Sequence, residues 1–319
     1  MAIDEKLLSA RPDEVTERFN EELLARISAL PDPWRFTVAT VRKARAEGRG
    51  AIPLDPANPD AITLSIDGPR GEIPIRVIVP RAPPVGAYLH IHGGGWVFGS
   101  PSFQDARLTR LADATGLVVA AVGYRLAPEY PFPAGADDCE AAARWLPDWA
   151  AGAHGVSWCA MGGESAGANL AVVALRRLAA TGDRRYRAAN LNAGCYDLGL
   201  TPSARSWGGT RLVLTTRDIE MYARHYLLHG HDVRDPDVSP LHADLAGLPP
   251  ALFTVGTKDP LLDDSLFMAM RWLSAGNRAE LDVYPGGCHV FQAFDLPIAR
   301  ASLSRMEAFL TGERTRDAA

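Results

Sequence analysis

Short apolar runs alternate with helical stretches along most of this chain, and that alternation limits its possible folds most strongly. Three runs are each followed by a segment of helical periodicity; the pairs are 85–90 with 104–115, 117–124 with 137–150, and 156–162 with 166–180. Two later runs, 251–256 and 280–285, also precede helical sequence. Strands that are apolar throughout are buried on both faces, so the pattern predicts an α/β fold, with a mostly parallel central sheet and helices on both faces.

Two regions depart from this rhythm. Residues 1–50 are helical and charged, with no strand-like run, and residues 200–245 contain a helical stretch at 217–228 followed by a polar loop. We predict that 1–50 contributes cap helices and that 200–245 is a cap insertion. The core is then 51–199 and 246–319. Its first part begins with a hairpin, 61–66 and 73–80, around a glycine-containing turn.

The composition is that of an ordinary globular protein. The chain has 319 residues, 47% of them hydrophobic and 22% charged, which suffices for one large domain with a smaller cap. The net charge of −5 and the absence of a basic block argue against nucleic acid as the partner. No apolar run approaches the roughly 18 residues of a membrane span, and the charged start lacks a signal-peptide core.

The spacing of the cysteines indicates in which cellular compartment the protein is expected. They are scattered without CxxC spacing, which argues against a disulfide framework and excludes a zinc ribbon: Cys139, Cys159, Cys195 and Cys288. We therefore expect a cytoplasmic protein without a membrane partner.

A glycine-rich loop, IHGGGWVFG at 91–99, follows the first predicted parallel strand. It is not a phosphate-binding P-loop, because no Lys-Ser or Lys-Thr follows. The dinucleotide fingerprint also fails, since Phe98 stands where its third glycine belongs. A metal site on His90 and His92 has no acidic or cysteine partner nearby in sequence.

A second motif indicates a function for that loop. Residues 163–167 read GESAG, a GxSxG sequence between a predicted strand and a predicted helix. This is the context of a nucleophile elbow, where a strained turn exposes the hydroxyl of Ser165. A serine nucleophile needs donors for the oxyanion of its tetrahedral intermediate. They come from the N–H of the next residue, Ala166, and from a loop after an earlier strand. The loop at 92–95 meets that description.

Such a serine also needs a base and an orienting carboxylate, which follow it in the order acid, then histidine. The loop after 251–256 offers Asp259, with Asp263 and Asp264 as rivals, and the loop after 280–285 offers His289. Both loops lie at the carboxyl ends of strands, where active sites of open α/β sheets form.

A different histidine group could bind zinc. His225 and His229 are spaced by four residues on a predicted helix, with His231 and Asp232 close by. A solvated helix end is the favoured interpretation, and we expect no metal.

Several motifs in order make the chain similar to the hormone-sensitive-lipase-like family of α/β-hydrolases, which includes small bacterial carboxylesterases. They are HGGGW at 92–96, YRLAPEYPFPA at 124–134, GGESAGANL at 162–170, DPDVSPL at 235–241, DPLLDD at 259–264 and His289. The resemblance implies an α/β-hydrolase fold with a helical cap and a catalytic triad of Ser165, Asp259 and His289. It prefers Asp259 because the family's acid is the first Asp of its DPL motif.

The resemblance also implies an oxyanion hole formed by Gly94, Gly95 and Ala166, with Gly93 shaping the loop and His92 anchoring it. The chain departs from the family at Glu164, where Asp is commoner, at Gly123, and at Cys288 before the histidine. Cys288 affects thiol-reagent sensitivity or is simply a buried apolar residue.

Four residues are candidates for the substrate pocket: Trp96, Phe98, Glu164 and Trp207. For the aromatic ones, plain core or cap packing is the alternative. Trp207 and the helix around Met221 and Tyr222 are candidates for a roof over the site, with plain cap packing as the alternative.

The sequence thus predicts a serine carboxylesterase that hydrolyses short- to medium-chain esters through an acyl-enzyme. It needs no cofactor, its partner is a small-molecule ester, and a homodimer is possible by analogy. An amidase or lactonase using the same triad is the main alternative. A non-catalytic ligand receptor on this fold is a further one, although it would be expected to lack a member of the triad.

Overall fold

A mostly parallel eight-stranded sheet forms the centre of the part that the computed structural model describes, residues 10–317. Strands β1 to β8 span Ile62–Gly68, Gly71–Ile78, Gly86–Ile91, Leu117–Val122, Cys159–Glu164, Tyr186–Asn192, Ala251–Lys258 and Ala279–Cys288. Their order across the sheet is β1-β2-β4-β3-β5-β6-β7-β8. β1 and β2 form the predicted antiparallel hairpin, β2 is antiparallel to β4, and the other neighbours are parallel.

Helices cover both faces of this sheet. Helices α1 to α9 span Glu14–Ala29, Val38–Ala46, Asp105–Thr115, Ala134–His154, Ala166–Ala180, Pro202–Ser206, Thr216–Tyr226, Leu262–Ser274 and Pro297–Asp317. Short 3₁₀ helices occupy Pro33–Arg35, Pro240–His242 and Phe291–Ala293. Along β3, Leu89 and Ile91 join a core cluster with α4, α5 and α8, whereas Tyr88 joins a second cluster with α3 and α9. Successive side chains of a strand point to opposite faces, so the central strands must be apolar throughout.

One strand of the sheet was missed by the sequence pattern. β6 contains Asn190 and Asn192 and carries Arg187 near its start, so its apolar run is interrupted. It forms a strand because β5 and β7 pair with it on both sides and satisfy its backbone groups. Helix α4 is also longer than predicted, 134–154 rather than 137–150, despite Pro147 within it.

The two predicted cap regions contact each other directly. The indole N–H of Trp34 donates to Asp218 in α7 at 2.6 Å, and Arg211 donates to the carbonyl oxygen of Leu30 at 2.9 Å. The helix predicted at 217–228 lies at 216–226. The cap bounds stay a prediction, and its first nine residues lie outside the described part of the chain.

A buried ion pair ties the hairpin to the face covered by α3. Arg76 of β2 donates through Nε to Oδ1 of Asp105, the first residue of α3, at 2.9 Å. The Asp105 carboxylate is fully buried and also accepts the backbone N–H of Asn58 at 2.8 Å. Its charge at the helix N-terminus is further stabilised by the helix dipole.

We predict that Arg76→Met lowers the free energy of unfolding by about 3–5 kcal/mol, because it leaves Asp105 buried without its cation. Equilibrium urea denaturation measures the loss. Arg81→Met is the matched control: that side chain is 89% exposed and pairs with Asp113 at the surface, so its loss costs about 1 kcal/mol or less. Equal effects of the two substitutions would contradict the structural role of the buried pair.

Candidate active site

Ser165 occupies a strained turn between β5 and α5. Its φ of 56° and ψ of −124° place a non-glycine residue in a sparsely populated backbone region, a strain that costs of order 1–3 kcal/mol. The flanking glycines are sterically required, since a Cβ at Gly163 or at Gly167 would collide with the carbonyl oxygen of Ile91. The GxSxG motif therefore reflects the close approach of β3, β5 and α5, as predicted for an elbow.

Three side chains from three different loops form one hydrogen-bonded chain. His289 Nε2 lies 3.0 Å from Ser165 Oγ, and His289 Nδ1 lies 2.9 Å from Asp259 Oδ2. Both His289 and Asp259 are buried, and Asp259 also accepts the N–H of Leu261 at 2.9 Å. A carboxylate can only accept at Nδ1, so the imidazole carries its proton there and its Nε2 is free to accept the serine proton.

The rival aspartates have other partners. Asp264 is fully buried and accepts three hydrogen bonds, from the backbone N–H groups of Tyr196 and Asp197 and from the hydroxyl of Thr201. Its burial raises its pKa to about 7. Asp263 accepts the N–H of Ser203 at 2.8 Å. These carboxylates organise the segment after β6, and only Asp259 of the three contacts His289.

The glycine loop lies beside the serine in the same cleft. Gly94 and Gly95 have φ values of 113° and 64°, a left-handed conformation that favours glycine. Gly94 accepts the N–H of Phe98 at 2.9 Å, which closes the turn. Ala166 begins α5, so its N–H has no acceptor within the helix. The three candidate oxyanion donors thus belong to elements that meet at Ser165.

Glu164 joins the elbow to the glycine loop. Its Oε1 accepts the N–H of Gly93 at 2.6 Å and a hydrogen bond from Gln104, and its Oε2 lies 3.3 Å from His90 Nε2. Burial by itself would raise the pKa of this carboxyl, but His90, Arg107 and the Gly93 N–H lower it to about 2. Glu164 also lines the cleft. The residue at which the chain departs from the family pattern therefore connects the elbow to the glycine loop.

His92, at the start of the glycine loop, contacts the loop backbone and a neighbouring aromatic ring. Its Nδ1 lies 2.8 Å from the carbonyl oxygen of Gly93, and its ring stacks on Tyr124 at 4.3 Å. The Tyr124 hydroxyl donates to the His92 carbonyl oxygen at 2.9 Å. Burial lowers the pKa of His92 to about 4, so the ring is neutral near pH 7 and donates from Nδ1 to Gly93. The interpretation of His92 as a loop anchor agrees with these contacts.

The cleft above Ser165 is narrow, about 130 Å³, and the cap segments form part of its wall. On the core side it is lined by Gly93, Gly94, Gly95, Ser165 and His289. The predicted cap regions contribute Arg45, Gly50, Val213, Leu214 and Tyr222 to the lining, and the start of the core contributes residues 51–54. The Tyr222 ring packs against Gly95, where it occupies the space that a Cβ would need.

Three candidate pocket residues lie outside this lining. Trp96 is 2% exposed and stacks on Tyr226 at 4.6 Å, and Phe98 is 1% exposed and packs edge-on against Tyr222. Trp207 donates its indole N–H to the Thr210 carbonyl oxygen and packs in the cap. After Gly95 the chain turns inward, so its aromatic side chains enter the core instead of the cleft.

The side chains considered as metal ligands or as a reactive thiol take part in packing. His225 stacks on Trp34 and His231 packs edge-on against Phe132. Among residues 10–317, no three His, Cys, Asp or Glu side chains are grouped closely enough to hold a metal ion. Cys288 is buried like the other three cysteines, and its burial raises the thiol pKa to about 12.

We predict that Glu164→Gln reduces the decrease in the free energy of unfolding that occurs as the pH falls below about 5. A carboxyl whose pKa falls from 4.5 to about 2 on folding stabilises the protein above about pH 4.5. That contribution is lost as the pH falls through the native pKa. It corresponds to about 3 kcal/mol. Urea denaturation at several pH values between about 5 and 2 should show the wild type losing more stability than the variant.

Glu22→Gln makes the same change on an exposed face of α1 and should follow the wild-type profile. If Glu164→Gln also follows that profile, the carboxylate does not hold the loop as inferred.

Comparison with known proteins identifies the family of the chain. Residues 88–293 match the model of a family described as alpha/beta hydrolase fold. The chain is 36% identical over 231 residues to an acetyl-hydrolase of Streptomyces hygroscopicus, spanning 70% of this chain and 76% of the relative. It is also 36% identical over 244 residues to the carboxylic ester hydrolase LipN of Mycobacterium tuberculosis, spanning 72% of this chain and 64%, less than two thirds, of LipN.

Among solved structures, the hyperthermophilic esterase of the archaeon Pyrobaculum calidifontis has a TM-score of 0.83 at 30% identity, covering 95% of this chain and 98% of that one. The predicted enzyme class, a carboxylic ester hydrolase, agrees with the names of these relatives. The chain belongs to the alpha/beta hydrolase fold family, and the resemblance to its hormone-sensitive-lipase-like members is confirmed.

Proposed function

We propose that this protein is a serine carboxylesterase that hydrolyses esters of short- to medium-chain acids through an acyl-enzyme. The observation that carries the proposal is the hydrogen-bonded chain from Asp259 through His289 to Ser165, whose serine end lies in one cleft with the glycine loop. Relatives named as a carboxylic ester hydrolase and an esterase support the same class of substrate.

In the first half-reaction, Ser165 Oγ attacks the ester carbonyl carbon while His289 Nε2 accepts its proton. Asp259 holds the imidazole in the tautomer that accepts at Nε2 and stabilises the imidazolium. The N–H groups of Gly94, Gly95 and Ala166 bind the oxyanion. The tetrahedral intermediate collapses, His289 protonates the leaving alcohol, and the acyl group stays on Ser165.

In the second half-reaction, water takes the place of the alcohol. His289 removes a proton from the water as its oxygen attacks the acyl carbon. The same donors bind the second oxyanion, and His289 returns a proton to Ser165 as the carboxylic acid leaves. Asp259, which is buried, keeps the proton of the imidazole on Nδ1 throughout. The scheme uses only groups of the protein and water, so it includes no cofactor.

The size of the cleft supports small acyl groups. Its volume is about 130 Å³, and Tyr222 and Leu214 of the predicted cap line it together with Ser165. Closure by cap residues excludes water from the reacting carbonyl and limits the length of chain that fits. Small-molecule esters are therefore the proposed partners.

The cytoplasmic location and the possible homodimer stay proposals as well. Within residues 10–317, each helix is too short or too polar to cross a bilayer. The sheet ends at β1 and β8, each paired on one side; these edges are where a second copy would add. Sedimentation at several protein concentrations tests the dimer.

We predict that Ser165→Ala abolishes turnover of para-nitrophenyl acetate and labelling by a fluorophosphonate, because the nucleophile is lost while the fold is kept. Steady-state kinetics, mass spectrometry of the labelled protein and circular dichroism provide the readouts. Ser157→Ala, at an exposed serine near the start of β5, is the matched control and should retain both activities. Turnover by purified Ser165→Ala at the wild-type rate would refute the proposed mechanism.

We also predict that kcat/KM falls along a series of para-nitrophenyl esters from butyrate to decanoate and beyond, since uncharged chains longer than the narrow cleft extend past it towards the arginines of an adjoining cavity. A rise towards the longest esters would contradict the chain-length proposal. Amide and lactone substrates with the same acyl group should be hydrolysed more slowly than the ester. A faster amide would instead favour an amidase.

A further inference from the structure

A second and wider cavity adjoins the active-site cleft. It has a volume of about 570 Å³ and lies between the N-terminal helices and the segment 211–222. Five residues line both spaces, so the two share a wall: Arg45, Gly50, Ala51, Val213 and Tyr222. A molecule bound at Ser165 and longer than the cleft would extend towards this cavity.

Arginines dominate the charge of the outer cavity. Four line it, Arg26, Arg45, Arg49 and Arg211, against a single acidic residue, Asp218. This excess of cations occurs in a chain whose net charge is −5. Because a concave surface lined by charges of one sign concentrates their field, the cavity attracts anions.

Three of these arginines have no carboxylate partner within the described residues. Arg26 donates to the Ala51 carbonyl oxygen at 3.3 Å and Arg211 to the Leu30 carbonyl oxygen at 2.9 Å. Arg45 donates to the Tyr222 hydroxyl at 3.3 Å and lies over the ring of Phe98 at 4.1 Å. None of the three forms an ion pair with a carboxylate of residues 10–317.

The nearby acids are already engaged. Asp218 accepts hydrogen bonds from the Trp34 indole and from the N–H and hydroxyl of Thr215, which cap α7. Asp32 pairs with Arg217, and Glu47 pairs with Arg49, the fourth arginine of the cavity. The guanidinium groups of Arg26, Arg45 and Arg211 therefore keep donors available to a ligand.

We propose that this cavity binds an anionic group at the end of the ester substrate remote from the scissile bond. The preferred substrates are then esters that carry a carboxylate or phosphate beyond a short apolar spacer. Arg45 is the specificity-determining residue closest to the reaction, because it lines both the cleft and the cavity. This inference rests on the proposed esterase function and specifies its substrate class.

The rest of the lining suits such a ligand. Ile27, Leu30 and Phe36 give the cavity apolar surface between the arginines, and Leu30 and Phe36 remain partly exposed to solvent. Apolar surface beside a cation binds an organic anion better than a hydrated inorganic ion, because both parts of the ligand are matched.

The anion can lie on either side of the ester, and two pairs of substrates separate these cases. For the acyl side, para-nitrophenyl hydrogen adipate is compared with its amide-capped, neutral analogue. For the alcohol side, para-acetoxyphenylacetate is compared with para-acetoxyphenylacetamide. The measured quantity is the ratio of kcat/KM for the anionic substrate to that for its neutral partner, after subtraction of spontaneous hydrolysis.

In the wild type we expect one pair to show a ratio of about ten, as a charge-assisted hydrogen bond provides. The pair that shows it identifies the side of the ester that enters the cavity. High ionic strength should lower the ratio because salt screens partly exposed charges. Arg45→Met, which keeps the apolar contact with Phe98, and Arg211→Met should each reduce the ratio towards one.

Arg234→Met is the matched control. It removes one exposed arginine of the cap insertion that lines neither space, and the ratio should stay at the wild-type value. Circular dichroism confirms that each variant is folded. Arg211→Met provides the test if Arg45→Met does not fold.

Ratios near or below one for both pairs in the wild type would overturn the proposal. A preference that persists in both cavity variants would also overturn it. These results differ from failure of the esterase function itself, in which the wild type would hydrolyse none of the four esters and take up no fluorophosphonate label.

Discussion

The parallel pairing of β3 with β5 is the constraint on which the site depends. Its register sets Ile91 opposite Gly163, so the loop that follows β3 emerges beside the turn that follows β5. Because the carbonyl oxygen of Ile91 also fills the space beside Gly167, α5 can begin only with small residues. Ser165, its candidate oxyanion donors and the glycine loop are thereby brought together by backbone packing.

Burial and neighbouring groups together determine the charge state of the side chains around the serine. His92 and Glu164 both lie against the glycine loop and both are buried, yet they differ in charge. Burial lowers the pKa of His92 more than Glu164 and the Gly93 carbonyl raise it, so His92 is neutral, whereas His90, Arg107 and the Gly93 N–H keep Glu164 charged. The loop is held by one neutral and one anionic side chain, each hydrogen-bonded to Gly93.

Local patterns predicted the elements better than they predicted the surroundings of the site. The apolar runs located seven strands, but β6 was missed because Asn190 and Asn192 interrupt its pattern. Its strand conformation depends on pairing with β5 and β7, which no local window contains. The sequence left pocket and core as alternatives for Trp96 and Phe98, and the turn after Gly95 directs both into the core.

The sequence by itself determined the α/β fold, the elbow at Ser165, the glycine loop and the order of acid and histidine. These follow from short motifs whose steric and chemical requirements are local. Only the tertiary structure selected Asp259 by contact, since Asp263 and Asp264 differ from it in their distant partners. It alone joined Glu164 to Gly93 and brought Arg45 and Arg211 to one cavity, because contacts across such separations arise only when the sheet and cap pack together.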